Sequence, residues 1–327
     1  MDAERVLDVL LLGAAGSSGR LVARELAARG LSTRLAGRRL EPLVALADEL
    51  ATSGTAVDTT ALDVSDAAAV RAATERARLV LTTVGPFVRY GGTVLDACLD
   101  ARVSYVDIAN ELTAVRAVLE RDAEARAAGI TAVTGAGFGP GGTESLVLRL
   151  VDELGETPHL VRVATVPANS HVSPGVRETI AALMPEGATT YVDGALVRAP
   201  FGAGATVLAF GGARRNMLPG PAGDLEAARL ASGAANVSAY FGDPAQRVDG
   251  DFSYAYAEVV SRSGRRLAAQ LQAGDGVEAG AAFAAEVARR VLAGTPAGAW
   301  TPGRLFGPDL FPVVTNATPT QLSGGSV

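Results

Sequence analysis

The chain has 327 residues, 48% hydrophobic and 20% charged, with a net charge of −6. That composition builds packed cores, enough for two domains, and excludes a disordered chain. The acidic balance offers nothing to nucleic acid or to an anionic membrane surface. There is no lysine: all 29 basic residues are arginine. A Schiff-base lysine, a phosphate-loop lysine and a Tyr-x-x-x-Lys pair are therefore all excluded. The single cysteine, Cys98, sits in an apolar helical pattern and reads as core. Two histidines without a cysteine cluster do not make a structural zinc site. No apolar run is long enough to span a membrane and the first one reads as a strand, so a cytoplasmic protein is expected.

That first run, Val9 to Leu12, ends in Gly13-Ala14-Ala15-Gly16-Ser17-Ser18-Gly19-Arg20. A strand, a tight turn and a helix start are the means by which a dinucleotide pyrophosphate is cradled. Gly13 makes the turn, Gly16 lets backbone approach the phosphates, and Gly19 lets helix pack on strand. The helix continues to Arg29, with Leu21, Val22 and Leu26 on one face. Ser32 to Gly37 is a second strand, ending in Arg38-Arg39. The end of this strand meets the adenosine ribose, where an acid binds the hydroxyls of NAD and an arginine binds the 2′-phosphate of NADP. Two arginines and no acid predict NADP(H), with Arg38 as its bidentate partner.

Glu41-Pro42 opens the next helix, and Thr55 to Leu62 is a third strand. Asp63 after it is placed near the adenine, and Ser65 is expected to cap a helix running to Ala77. Arg78 to Val84 is a buried fourth strand leading into Val84-Gly85-Pro86-Phe87, and a helix is expected to open at Tyr90-Gly91-Gly92. Ser104 to Ala109, a fifth strand, runs into Asn110-Glu111. Thr113 to Ala128 is helical and Ile130 to Gly135 is a sixth strand. Six strands alternating with helices mean an α/β Rossmann fold, a doubly wound parallel sheet with its ligand at the strands' carboxyl ends. The expected cofactor-binding residues are Gly13, Ala15, Gly16, Ser17, Ser18, Gly19, Gly37, Arg38, Arg39, Asp63, Val84, Gly85, Pro86, Phe87 and Glu111.

These residues carry a resemblance. Gly13 to Val22, Leu35-Ala36-Gly37-Arg38, Val84-Gly85-Pro86-Phe87 with Tyr90-Gly91, Asp96-Ala97-Cys98, and Tyr105-Val106-Asp107 before Glu111 resemble the saccharopine dehydrogenase-like oxidoreductases. That group includes saccharopine reductase and the trans-acting enoyl reductases of lipid biosynthesis. The resemblance is good from the N-terminus to about Gly155 and returns weakly near the C-terminus. It implies NADP binding on a redox scaffold. Gly135 to Pro140 also resembles the family's glycine-rich turn, but Gly139 and Thr143-Glu144 stand where relatives commonly carry aspartates.

Gly137, Gly139, Gly141 and Gly142 are read as a turn before a helix from Thr143 to Leu154, offering free amides to a nicotinamide amide or an oxyanion, or simply permitting a bend. Strands follow at His159 to Val166, Thr189 to Ala199 and Ala205 to Phe210, with a helix from Ser173 to Met184. Gly211 to Gly223 reads as a loop. Phe252 to Gln272 is a hairpin turning at Ser263-Gly264, Glu278 to Leu292 is helical, and Gln321 to Val327 is frayed. The expected domains are 1–136 plus about 277–327, binding NADP, and about 137–276, a mixed α+β substrate domain. His171, Tyr191, Tyr254 and Tyr256 are the candidates for proton donation or substrate contact, with Tyr90 and Glu111 behind them. No metal is expected.

The reading is an NADPH-dependent reductase of a small-molecule C=C, C=N or C=O bond, in specialised-metabolite or lipid biosynthesis. A redox-neutral cyclase, isomerase or dehydratase on the same scaffold, or an NADP(H) sensor, are the alternatives. The partner is a small-molecule substrate, with no nucleic acid or membrane, and a homodimer is the commonest assembly.

Overall fold

A computed structural model of the chain describes residues 7–168, 178, 181, 184–242 and 251–322. The chain divides into two compact units, one of 1–109, 116–137 and 280–300, the other of 110–115, 138–279 and 301–327.

The first unit holds a seven-stranded sheet: β1 (Leu7–Leu12), β2 (Thr33–Gly37), β3 (Val57–Ala61), β4 (Ala77–Thr82), β5 (Ser104–Asp107), β6 (Thr131–Val133) and β15 (Gly298–Trp300). Its order is β15-β6-β5-β4-β1-β2-β3, and every adjacent pair is parallel. Both faces are covered, so the central strands read as continuous apolar runs. Val9, Leu10, Leu11 and Leu12 are all fully buried. The crossover helices are α1 (Ser17–Ala28), α2 (Leu40–Leu50), α3 (Ala67–Thr74), α4 (Phe87–Ala101) and α6 (Asp122–Ala128). The sheet reverses direction of growth between β1 and β4, the crevice where such folds bind ligands.

Four details differ from the sequence expectation. Asp66, not Ser65, caps α3, its carboxylate accepting from the amides of Ala68 and Ala69 at 3.0 Å each. The Ser65 hydroxyl is turned to Asp63 instead. Helix α4 opens at Phe87, because Pro86 in extended backbone occupies its N-cap. The helix expected from Thr113 to Ala128 is two, α5 (Leu112–Leu119) and α6, broken at Glu120-Arg121. The seventh strand, β15, comes from the far end of the chain and was not foreseen.

The second unit is a nine-stranded mixed sheet with helices α7 (Phe138–Leu154) and α8 (Gly223–Ser232). Its main path is β10 (Thr206–Phe210), β11 (Ala213–Pro219), β12 (Asn236–Gly242), β7 (Leu160–Val166), β13 (Ser253–Val260), β14 (Arg266–Ala273) and β16 (Pro319–Gln321). The hairpin β8 (Ala188–Val192) and β9 (Ala195–Ala199) joins through β12. The stretch read as one strand from Thr189 turns back at Asp193-Gly194. Both residues are at positive φ, as a primed hairpin turn requires. The stretch read as a loop is β11, with Gly211-Gly212 as its turn; β12 and α8 were not foreseen.

The sheet curls strongly. Phe210, at the end of edge strand β10, stacks on Tyr256 of β13 at 5.2 Å between ring centroids. The Gly211 amide donates to Gln270 Oε1 on β14 at 2.6 Å. This closes a small interior of Ala164, Val166, Leu208, Phe210, Met217 and Tyr256. Gln321, expected to be frayed, lies in β16, paired with Ala269. Thr301 onward belongs to this unit, where the expectation gave it to the nucleotide domain: β16 pairs with β14, and Thr301 and Gly303 bond to Glu144 of α7. The helix expected at Ser173 to Met184 falls largely outside the described residues. Among those described, no helix is long and apolar enough to cross a membrane and no acidic, histidine and cysteine cluster is arranged for a metal.

Candidate functional site

In the first unit, the turn between β1 and α1 is shaped by its glycines. Gly13 has φ +82°, a left-handed conformation that glycine adopts without steric cost. Its amide and that of Ala14 both donate to the Ala36 carbonyl at the end of β2 (3.0 and 3.1 Å). A Cβ on Gly13 would lie 2.7 Å from Thr83 Oγ1. A Cβ on Gly19 would lie 2.0 Å from the Gly13 carbonyl oxygen, so the helix can approach the turn only because that atom is missing. Arg20 Nε donates to the Ala15 carbonyl at 3.2 Å and braces the loop.

Gly16 is the N-cap of α1 and carries no side chain to occupy the first-turn amides; Gly16 and Ser17 are exposed, and no acid stands in the first turn. Amides and the helix dipole favour negative charge at such a helix start. Beside it, Gly37 ends β2 and is followed by exposed Arg38 and Arg39, the latter at the N-cap position of α2 without a side-chain capping bond. Asp63, just beyond β3, accepts from the Ser65 amide and hydroxyl (2.9 and 2.8 Å). Those two bonds, with Arg38 nearby, hold its carboxyl below the usual range. Arg34 forks onto Asp58 of the neighbouring strand at 2.8 and 2.7 Å and is committed there.

Val84, Gly85, Pro86 and Phe87 follow β4, next to β1 at the sheet's reversal point; the Gly85–Pro86 peptide is cis, and Pro86 and Phe87 are buried. An uncapped helix start, a glycine that must be left-handed, and exposed arginines in place of an acid after β2 together fit a dinucleotide with a 2′-phosphate. Glu111 lies in the second unit: it is buried, bridges to Ala222, and its carboxylate accepts from the Asn110 amide at 3.2 Å.

The proton-donor candidates do not converge. Tyr191 is 7% exposed and its hydroxyl donates to Glu226 Oε2 of α8 at 2.5 Å, while Arg229 lies over its ring. It is thus held on the helix-covered face. Tyr254 and Tyr256 share a face, as their spacing implied, but it is the other one. Between them Ala255 faces α7, where a Cβ on Gly142 would meet it at 3.0 Å. Phe210 covers both rings, and burial with the neighbouring Glu258 charge pushes the Tyr256 hydroxyl upward, away from easy proton release. Tyr90 stands under the Arg89 guanidinium. His171 lies outside the described residues.

The glycine-rich run before Thr143 is not a turn. Helix α7 begins at Phe138 and contains Gly139, Gly141 and Gly142, the last two buried. Gly142 is there for packing: Ala255 and Phe311 leave no room for a larger residue. Sequence reasoning missed the acids of this helix and its neighbours. Glu144 is fully buried and accepts from the Thr301 hydroxyl and the amides of Gly303 (2.7 Å) and Arg304 (3.2 Å); burial pushes its carboxyl up to about 7. Asp224, in the first turn of α8, is 3% exposed. Its Oδ1 accepts from Thr143 Oγ1 at 2.9 Å, and burial pushes it up to about 6.

Comparison with known proteins agrees with this geometry. Residues 9–133 match the family described as "Saccharopine dehydrogenase NADP binding domain". A trans-acting enoyl reductase of Mycobacterium bovis is 40% identical over 112 residues, 34% of this chain and 27% of that protein. The Mycobacterium ulcerans enzyme of the same name is 38% identical over the same length. This chain thus matches about a quarter of the length of those curated relatives. Apo saccharopine dehydrogenase (L-Glu forming) from Saccharomyces cerevisiae superposes with a TM-score of 0.67 over 97% of this chain and 100% of that one, at 14% identity. The chain therefore has the fold of saccharopine dehydrogenase, and residues 9–133 are similar to that family's NADP-binding domain, which supports NADP(H) as the cofactor.

Proposed function

We propose that this chain is an NADPH-dependent oxidoreductase that reduces a double bond of a small molecule, most readily the C=C bond of an enoyl compound from lipid or specialised metabolism, with C=N and C=O as the competing acceptors. The observation that carries the reading is the β1–α1 turn, with its exposed, uncapped helix start, beside Arg38 and Arg39. The names of the mycobacterial relatives support the enoyl choice.

NADPH supplies the hydride. The chain's own part is to bind and orient the cofactor. Amides at Gly16, Ser17 and Ser18 take the pyrophosphate, and Gly13 and Gly19 set the approach. Arg38, with Arg39, takes the 2′-phosphate through charge-assisted bonds, while the ionised Asp63 orients Arg38. Val84 to Phe87 line the cofactor edge beside β1.

The test is purified protein with NADPH and, in turn, crotonyl-CoA, a cyclic imine and an aldehyde, following NADPH absorbance and product mass. Cofactor oxidation with a two-hydrogen mass gain in the crotonyl product supports the reading. Complete substrate turnover with unchanged NADPH would sink it in favour of redox-neutral chemistry, and tight NADPH binding without any product would point to a sensor.

A further inference from the structure

Asp224 is the acid that the fold leaves incomplete. Its carboxyl is buried among Thr143, Asn110 and Gly139, all in the second unit. Thr143 donates to Oδ1, and the Asn110 amide lies beside the carboxyl and favours its ionised form. Oδ2 nevertheless has no hydrogen bond of good geometry, although it is sealed from solvent. A buried carboxylate oxygen without a partner is costly, and the cost is relieved by a cation that can donate to it.

Among the described residues no such cation reaches it. No ion pair to Asp224 is formed among the described residues, and a lysine-free chain has no ammonium side chain of its own to offer. The nearest arginine on the same helix, Arg229, is committed to Glu226. The N-terminal position in α8 offsets part of the charge but leaves Oδ2 without a donor.

Access is set by one missing atom. Gly139, in the first turn of α7, is partly exposed, and Asn110 beside it is exposed. A Cβ at Gly139 would stand 3.1 Å from Asp224 Oδ2 and 3.3 Å from Asn110 Nδ2. Glycine therefore leaves space beside the carboxyl that any side chain at 139 would fill. The atoms nearest that Cβ belong to Asp224 and Asn110, whereas at 142 they belong to Ala255 and Phe311.

We propose that Asp224, roofed by Gly139 and flanked by Asn110 and Thr143, is a binding site for the ammonium group of a small primary amine, entering over Gly139. The ligand's N–H bonds Oδ2 and its charge offsets that of the carboxylate. The site is independent of the hydride chemistry proposed above; if both hold, the substrate carries a basic nitrogen.

The experiment is thermal unfolding of the full-length protein at neutral pH in n-propylammonium chloride, against n-propanol and sodium chloride at matched concentration and ionic strength. Wild type should gain about 2 °C at ten times the dissociation constant, and neither control should do so. Asp224→Asn, which keeps the shape, should lose the response, and so should Gly139→Ala, which keeps the charge but closes the approach. Both variants are first checked for native circular dichroism and undiminished NADPH binding. Should one fail to fold, the other still decides. An equal amine response in wild type and a folded variant, the same gain with propanol, or no amine response in wild type overturns the proposal and leaves Asp224 an ordinary first-turn acid.

Discussion

The glycines at 13, 16 and 19 and those at 139, 141 and 142 look alike in the sequence, each set preceding a helix. They serve different ends. In the first set Gly13, left-handed, and Gly16 make a turn ahead of a helix start that is open to solvent, and Gly19 in the helix's first turn packs against Gly13. The second set lies inside its helix, and its members at 141 and 142 are buried against other elements. What separates the two sets is a glycine turn ahead of the helix that leaves the first amides open. At Gly142 the glycine reports close packing instead.

Substitutions can break this contrast. Gly19→Ala places a methyl 2.0 Å from a backbone oxygen that has no room to yield. NADPH affinity should fall at least about 100-fold, or the protein should fail to fold; binding is read by cofactor fluorescence. Arg38→Ala should lose about 2 kcal/mol of NADPH binding, roughly 30-fold, and far less for NADH. Equal losses for the two cofactors would refute the 2′-phosphate role. At position 142 a methyl would approach the Ala255 side chain at 3.0 Å. Gly142→Ala should therefore cost about 1 kcal/mol of stability in denaturant titrations and leave NADPH affinity unchanged.

The acids sharpen the contrast further. Glu286 of the first unit, bonded to Arg289 and Arg290, is held down to about 2. Its contribution is present above the ordinary value of 4.5 and is lost as pH falls toward 2. Glu144 of the second unit runs the other way. Raised from 4.5 to about 7, it binds a proton in the folded state that the unfolded chain has released. Its contribution is full below pH 4.5 and disappears as pH rises through 7. Glu144→Gln should therefore flatten the decline of melting temperature between those pH values, whatever its constant offset. The smallest expected effect is at the α3 cap: Asp66→Ala should cost about 1 kcal/mol, and Ser65→Ala clearly less.

The parallel sheet was legible because each strand follows a helix that returns it beside a nearby strand, and the periodicity changes at every step. Where the reading slipped there, two equally suitable residues stood side by side, as with Ser65 and Asp66. The second unit hid its order because β7 lies between β12 and β13, which come much later in the chain than neighbouring strands usually do. The Asp193-Gly194 turn signal was present and would have divided β8 from β9. The cofactor turn could be read as a contiguous motif. Asp224 could not: in Gly223-Asp224-Leu225-Glu226 it looks like any acid opening a helix, and only its contacts with Thr143 and Gly139 set it apart.

The chain passes between its two units five times, after residues 109, 115, 137, 279 and 300. The edge strand of the parallel sheet, β15, ends at Trp300, long after its neighbour β6. On the ribosome, the nucleotide-binding sheet must wait with an open edge while the intervening stretch is synthesised. No single cut can release either unit whole, and a premature stop before Gly298 costs the N-terminal sheet a strand as surely as it shortens the other.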